Sequence, residues 1–529
     1  MSASNSGWHA ESQGEGLCGM PPLRKERAKM GHPAVALVAG FVFLSTALFA
    51  QQLPSGRLDN FAGHPRAFIV SDIGNEPDDQ MSFVRLLLYS NEIDLEGLVA
   101  TTSTWQKSAT HPETMHEIIA KYGEVRPNLL KHAPGWPTAA DLDRRVSIGQ
   151  PAYGMAAVGP GKSSPGAQAL VKAADSEDSR PLWITIWGGA NTLAQALLDV
   201  RATRSPAELA RLVARLRVYS ISDQDDAGPW IRKQFPDLFY VVYPSSANSG
   251  EYYYATWTGI SGDVYYRNGE GADFSTVTNE WLDANIRGKG PMGKQYPRFA
   301  FIMEGDTPSY LGLIDNGLAS WWNPGWGGWG GRYIFRQPYG ERHAIWTQGG
   351  DLFGRVSSQD TALGADGKSH TSDQATVWRW REAFQHDFAA RMDWTIKPFS
   401  EANHNPVAVV NGQAGTAPIF VDAVVGQPVG LDASQSRDPD GQTLHYEWFH
   451  YAEAGFGDGR GLAAVNIEDA ESSKAIITAT ATCRPMWIQM AGAKCPAQGI
   501  AHIILKVTDN GSPSLTSYRR VVLNVRAAP

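Results

Sequence analysis

Phe68-Ile-Val-Ser-Asp72-Ile-Gly-Asn-Glu-Pro-Asp78-Asp79 is the stretch that decides the fold: a short β-branched run breaks directly into three aspartates, a glutamate and a glycine. The run Ala67–Ser71 is apolar without alternation, as a strand buried on both faces requires, and Gln80-Met-Ser-Phe-Val-Arg-Leu-Leu-Leu-Tyr89 carries apolar residues at helical spacing. The acidic loop therefore sits between the carboxyl end of a strand and the amino end of a helix, the edge at which open α/β sheets bind ligands. Capping and the helix dipole explain one acid at a helix start. Four acids within eight residues exceed what a cap uses. Packed together they repel, and a hard divalent cation with oxygen ligands relieves them, calcium being the usual occupant of an all-protein cage. The expectation is a metal or substrate site at this loop.

Downstream, the strand, turn and helix order recurs. Asp94-Leu-Glu-Gly-Leu-Val-Ala-Thr-Thr102 reads as a second strand, and a helical segment spans Pro112 to Tyr122. Pro181-Leu-Trp-Ile-Thr-Ile-Trp187 reads as a buried strand ending in Gly188-Gly-Ala-Asn191, with a helix from Thr192 to Val200. Helix Pro206–Leu216, strand Val218–Ser222 and the loop Asp223-Gln-Asp225-Asp226 repeat the scheme. Strands Leu238–Tyr243 and Arg298–Met303 are expected to extend it, the latter ending in Glu304-Gly-Asp306. Such alternation predicts a mostly parallel sheet flanked by helices. Three acid-bearing strand ends, together with Asn191, are expected to converge on one crevice.

The tract Trp321-Trp322-Asn-Pro-Gly-Trp326-Gly-Gly-Trp329-Gly-Gly-Arg332-Tyr333 follows a helix expected over Tyr310–Asn316. Two readings stand side by side: an exposed aromatic platform for sugar rings, led by Trp326 and Trp329, or tryptophans packed under a loop. A helix over Asp373–Arg391 is expected to close the first domain. From about Asn403 the pattern changes to short alternating strands, with Leu444–Trp448, Ile503–Asp509 and Tyr518–Val525 among them, as in a β-sandwich. Asp438-Pro-Asp440-Gly reads as a turn ahead of a calcium loop.

At 529 residues, with 43% hydrophobic and 19% charged, the chain has room for two or three domains of about 100–200 residues. A net charge of −8 gives no reason to expect nucleic acid or an anionic membrane as partner. Arg24, Lys25, Arg27 and Lys29 precede an apolar run from Ala34 to Ala50, the pattern of a secretory leader cleaved near Ala50, with an uncleaved anchor as the alternative and Met30 as a candidate start. Export suits the three cysteines: Cys18 leaves with the leader, and Cys483 and Cys495 remain as an even pair for a disulfide.

Asp72-x-Gly74 with Asp78-Asp79, Gly188-Gly-Ala-Asn191-Thr-Leu-Ala, and Gly305-Asp306-Thr-Pro together resemble the metal and sugar loops of nucleoside hydrolases. Ser-Ile-Ser-Asp-Gln-Asp225-Asp226, Glu304-Gly-Asp-Thr-Pro and Gly-Gly-Trp329-Gly-Gly-Arg-Tyr narrow the resemblance to the secreted bacterial, cellulose-binding, nucleoside-hydrolase-like family. The last part of the chain is similar to that family's C-terminal domain and to polycystic-kidney-disease-type or cadherin-like modules. The resemblance implies one Ca2+ held by Asp72, Asp79, Asp306 and the backbone carbonyl of Asn191, with Asp72 also the general base and Asp78 bonded to a sugar hydroxyl. Three departures weaken nucleoside recognition: Asn75-Glu76-Pro77 lengthens the first loop, Thr101–Thr104 replaces an expected asparagine, and Glu304-Gly305 replaces a histidine. Asn75, Glu76, Asp225, Asp226 and Glu304 are the further candidate substrate contacts, Glu304 also as an acid for a leaving group or a fourth ligand.

The sequence reading is thus an N-terminal extension with a leader (1–50), an α/β nucleoside-hydrolase-like domain (66–400) and an all-β, immunoglobulin-like sandwich (404–527). It predicts a secreted or periplasmic, calcium-dependent hydrolase of a glycosidic or N-glycosyl bond. The alternative is a carbohydrate-binding protein without turnover, and an adhesion module led by the sandwich is the third reading. A carbohydrate is the expected partner, and a homo-oligomer is left open.

Overall fold

The first strand, β1 (Arg66–Ser71), is buried along its whole length, and its neighbours explain why. It pairs in parallel with β2 (Asp94–Ala100) on one side and with β4 (Leu182–Ile186) on the other. In this computed structural model, which describes residues 58–245, 249–348, 358–455, 461–484 and 494–528, the sheet has eight strands. The others are β3 (Val146–Ile148), β5 (Leu216–Ser220), β6 (Phe239–Val241), β7 (Ile334–Arg336) and β8 (Ile345–Thr347), in the order β3-β2-β1-β4-β5-β6-β8-β7. Only β7 runs antiparallel to its neighbour. The chain builds outward from β1 to β3, then restarts at β4 and builds the other way. The order therefore reverses between β1 and β4, where the carboxyl ends of adjacent strands diverge and open a crevice.

Helices cover both faces of this sheet. One face packs Ile69, Leu98 and Trp183 against Met81, Phe83 and Ile118 of the helices Pro77–Leu87 and Pro112–Leu129. The opposite face packs Phe68, Ile184 and Val218 against Leu170, Leu193 and Leu197 of the helices Pro165–Ala174 and Asn191–Thr203. The period-3.6 placement of these apolar residues against unalternated strands is what a two-faced α/β core demands.

The expected strand over Arg298–Met303 does not form. Phe301 is 57% exposed, and the Ser261 hydroxyl hydrogen-bonds both the amide and the carbonyl of Met303, which removes these groups from any ladder. The sheet is extended instead by β8 and β7, each of three residues. Two helices are also shorter than the sequence pattern predicts: Pro308–Leu311 stands in place of Tyr310–Asn316, and the Asp373–Arg391 segment is split into Ala375–Trp378 and Arg381–Trp394.

The C-terminal strands form two facing sheets. Ile419–Val424, Thr516–Arg526, Gln498–Asp509 and Leu444–His450 are neighbours in one, and Pro428–Asp432, Lys474–Ala481 and Ala464–Glu468 in the other. Their inward residues, Trp448, Ile477, Leu505 and Val521 among them, make a separate core. Cys483 and Cys495 are joined in a disulfide. The leader-like segment, Met30 and Cys18 lie outside the described residues; among those described, no helix is long and apolar enough to cross a membrane.

The tryptophan tract is where the sandwich sits. The exposed platform expected of Trp326 and Trp329 is absent, because these rings are 2% and 1% exposed. Trp326 meets His502 edge to face at 5.0 Å, and Trp329 approaches Tyr518 at 6.4 Å. Arg520 of the sandwich donates to the carbonyls of Leu318 (2.6 Å) and Gly327 (2.8 Å), and Tyr451 donates to Asp360 (2.5 Å), which also holds Arg332 at 2.7 Å. Glycine lets the backbone approach this closely: Gly327 adopts φ 71°, and a Cβ there meets Tyr451. Both parts belong to one compact unit, Gln52–Pro529. Trp326→Ala is expected to cost about 3–5 kcal/mol in denaturant unfolding, the loss that follows truncation of a buried ring. A cost under about 1 kcal/mol is what a solvent-facing platform gives.

Candidate functional site

Three carboxylates converge at the crevice. Asp78 and Asp79 occupy the first turn of the helix Pro77–Leu87, and Asp306 precedes the short helix Pro308–Leu311. One oxygen from each lies within 4.8 Å of the others, and all three side chains are buried. Pro77 starts the helix, Glu76 at its cap makes no side-chain cap bond, and Asp78 and Asp79 lie inside the first turn, where the backbone amides of residues 78 and 79 favour the Asp78 carboxylate. Asp72, directly after β1, stands beside this trio and is 4% exposed. Oδ1 of Asp72, Oδ1 of Asp78 and Oδ2 of Asp306 are buried without a hydrogen-bond partner among the described residues.

Glycines make this crowding possible. A Cβ on Gly188, in the turn after β4, meets Oδ1 of Asp72 at 2.7 Å, and one on Gly305 meets Oδ2 of Asp78 at 2.8 Å. The loops after β1, after β4 and before Pro308 are thus in contact through the acids themselves.

Electrostatics reflect this confinement. Burial pushes Asp72 up to about 6, with the Ser103 hydroxyl beside it opposing the rise and the Glu76 carboxylate adding to it. Burial, then Glu76 and Asp72, push Asp78 up to about 7. Asp79 and Asp306 stand well above the ordinary carboxylate range, first through burial and then through their acidic neighbours. Ser71 donates to Asp79 at 2.5 Å, which favours that carboxylate's ionised form. Buried like charges with unpartnered oxygens are costly unless protonated or matched by a cation. The donor set, oxygen only and anionic, fits a hard divalent cation such as Ca2+ and not a soft metal.

The other sequence candidates stand around this trio. Asn191 starts its helix with its amide donating to Asp225 (3.1 Å), and its side chain bonds Thr102 (3.1 Å) and the carbonyl of Ala152 (2.9 Å). Asp225, pushed up to about 7 by burial, also accepts from the amide of Ala227 (3.0 Å) and so braces the turns after β4 and β5. Asp226 is exposed and accepts from the amide of Met155 at 2.7 Å. Asn75 is exposed and Glu76 half-buried at the mouth of the crevice.

Glu304 is corrected outright as a ligand-facing acid. It is fully buried in the left-handed conformation (φ 58°), paired with Arg85 at 2.6 Å, and accepts from Tyr296 (2.5 Å) and Thr307 (2.9 Å). With both oxygens occupied it has no capacity for a substrate or a metal.

Pattern reading missed the turn after β2. Ser103 accepts from the amides of Trp105 (3.0 Å) and Gln106 (3.2 Å), and Gln106 donates to the carbonyl of Asp72 at 3.2 Å. Trp105 itself is exposed. A lone tryptophan in a polar stretch was the available signal.

The solved structure of a nucleoside hydrolase-related hypothetical protein from Saccharophagus degradans, described as associated with carbohydrate metabolism, is 36% identical. The match covers 88% of this chain and 100% of that one, with a TM-score of 0.68. The PKD domain from KIAA 1837 protein is 21% identical over 21% of this chain and 86% of that chain, with a TM-score of 0.14. No curated protein matches the chain. Residues 428–525 match the family described as the C-terminal domain of cellulose-binding protein Sde0182, and residues 66–333 match the one described as cellulose-binding Sde182, nucleoside hydrolase-like domain. With half the chain inside that match and a relative 36% identical along its entire length, the protein belongs to the Sde182 nucleoside hydrolase-like family.

Proposed function

We propose that this protein is a calcium-dependent hydrolase of a glycosidic or N-glycosyl bond in a carbohydrate-derived substrate, working outside the cytoplasm. The observation that carries the reading is the buried trio Asp78, Asp79 and Asp306, with an unpartnered oxygen on Asp78 and another on Asp306 among the described residues, at the sheet's switch point. These three residues would hold the cation, with Asp72 at their side. When bound, Ca2+ supplies a hard positive charge that orients sugar hydroxyls and favours ionised oxygens nearby.

Asp72 is the residue for proton transfer. Its free Oδ1, and an affinity for protons raised to about 6, suit a general base for the water that attacks the anomeric carbon. As the carbon–oxygen or carbon–nitrogen bond breaks, the departing atom needs a proton. Glu76, half-buried and with its carboxyl raised by burial, is the candidate donor now that Glu304 is locked to Arg85. The leader-like run Ala34–Ala50 and the Cys483–Cys495 disulfide support export.

Carbohydrate binding without turnover is the second reading. It is favoured by the withdrawal of Glu304 and by the family's cellulose-binding description. Hydrolysis assays with aryl glycosides, cello-oligosaccharides and nucleosides separate the two. Asp72→Asn is expected to lower kcat about 100- to 10,000-fold while leaving calcium affinity within a few-fold. Equal turnover by wild type and variant removes Asp72 from the chemistry, and no turnover by wild type with sugar binding intact selects the second reading.

A further inference from the structure

Beside the acidic crevice a tryptophan is held out into solvent by a turn that cannot fold it away. Thr101 donates its amide to the carbonyl of Ser71 at 2.8 Å, the last pairing between the β1 and β2 chains. Ser103 then closes on Gln106 (3.0 Å), Thr104 donates to the carbonyl of Gln224 (2.8 Å), and the Ser103 hydroxyl takes the amides of Trp105 and Gln106. Gln106 reaches back to the carbonyls of Asp72 (3.2 Å) and Ile73 (3.4 Å). Backbone on both sides of residue 105 is thus fixed to the walls of the site, yet the Trp105 side chain is left 42% exposed.

Its surroundings are aromatic and acidic. The Trp105 indole N–H is a hydrogen-bond partner of the Tyr252 phenol oxygen; burial holds the phenol's proton, the Ser222 and Trp105 bonds oppose this, and the carboxylates of Asp72 and Glu76 add to it. Tyr266 stands by the other acids: burial first, then Tyr252, Tyr265, Glu76 and Asp78, raise its phenol. Aromatic rings thus flank the mouth, while the floor is carboxylate. An apolar ring face next to a polyanionic floor that takes a cation suits a pyranose, which has a C–H face on one side and hydroxyls around its rim.

We infer that Trp105 is the stacking platform for a sugar ring at the mouth of the crevice, with Tyr252 and Tyr266 as its neighbouring walls, so that the site takes the end of a glycan chain. The turn is tied through Gln106 to the backbone carbonyl of Asp72, so the platform belongs to the same wall of the site as that carboxylate. The inference rests on the carbohydrate reading above, and it moves the aromatic contact from the buried Trp326 and Trp329 to a residue that solvent reaches.

Calorimetric titration of the full chain, in calcium, with cellotetraose and separately with inosine tests it on wild type, Trp105→Ala and Trp105→Phe. Cellotetraose is expected to bind wild type, to bind Trp105→Ala about tenfold more weakly, and to regain most of that loss in Trp105→Phe. Calcium affinity and Tm are expected to stay unchanged in both variants, because the turn is held by backbone and by Ser103 and Gln106. Wild-type affinity in Trp105→Ala overturns the inference, as does a wild type that binds inosine and not cellotetraose, or neither. A wild type that ignores calcium yet binds cellotetraose through Trp105 leaves the platform standing and sinks the metal-site reading alone.

Discussion

Metal-stripped protein is expected to lose thermal stability as pH rises from about 5 to about 8, and millimolar Ca2+ is expected to restore it at the higher pH only. The sign follows from the buried acids. Asp78 is pushed up to about 7, and Asp79 and Asp306 stand well above the carboxylate range, so in the folded, metal-free state they keep protons that the unfolded chain releases near pH 4. The native state therefore binds more protons than the unfolded state across that window, and stability falls as pH rises through it. The cumulative loss is on the order of 2–4 kcal/mol, and a ligand at a hundred times its Kd returns about 2.7 kcal/mol. Asp79→Asn removes one of the competing charges while its side-chain oxygen still accepts from Ser71. This variant is expected to be more stable than stripped wild type at about pH 8 and indifferent to calcium. Scanning calorimetry at both pH values checks it, and a stripped wild type that gains stability with pH contradicts the account.

Breaking the Arg85–Glu304 pair is expected to cost about 3–5 kcal/mol. Both side chains are fully buried, at 2.6 Å, and Arg85 also donates to the carbonyl of Phe384 (3.0 Å) and lies 4.1 Å from the centre of the Phe388 ring. The pair joins the last turn of the helix that begins with Asp78 and Asp79 to the loop that ends in Asp306. Glu304→Ala leaves a buried guanidinium without its counter-charge and frees that loop, so calcium affinity is expected to fall along with stability. Arg85→Leu combined with Glu304→Leu is expected to recover a substantial part of the stability, since removing both charges removes the desolvation penalty as well. Urea unfolding reads the first effect and calcium titration the second. A Glu304→Ala variant within about 1 kcal/mol of wild type means the pair is not what fixes the loop.

The contrast between Asp72 and Glu304 explains how far the sequence could be read. At β1 and β4 the local pattern is complete: an unalternated apolar run, then glycine or acid, then helical spacing. Each element is specified by its own residues, and the crevice between these strands follows from the connection rules. Around Glu304 the pattern misleads. Phe299-Ala-Phe301-Ile-Met303 has strand-like composition, but Ser261 claims the backbone of Met303, and Glu304 takes a positive φ that composition does not announce. The partner of Glu304 lies in a distant helix, so its occupation by Arg85 is a tertiary fact. The tryptophan tract is a similar case. What covers Trp326 and Trp329 comes from His502, Tyr518 and Arg520, whose contacts are invisible to local periodicity. Asp225 was recognisable as an acid at a strand end, yet only the folded turns reveal that it holds the amides of Asn191 and Ala227.

The central claim is that Asp78, Asp79 and Asp306 form one calcium site on which sugar recognition depends. Calorimetric titration of metal-stripped wild type and Asp79→Ala with Ca2+, each followed by cellotetraose, tests it most directly. The account predicts one site in wild type, its loss in the variant, and sugar binding only where the metal is bound. No calcium binding by wild type, or binding that survives the substitution, contradicts it.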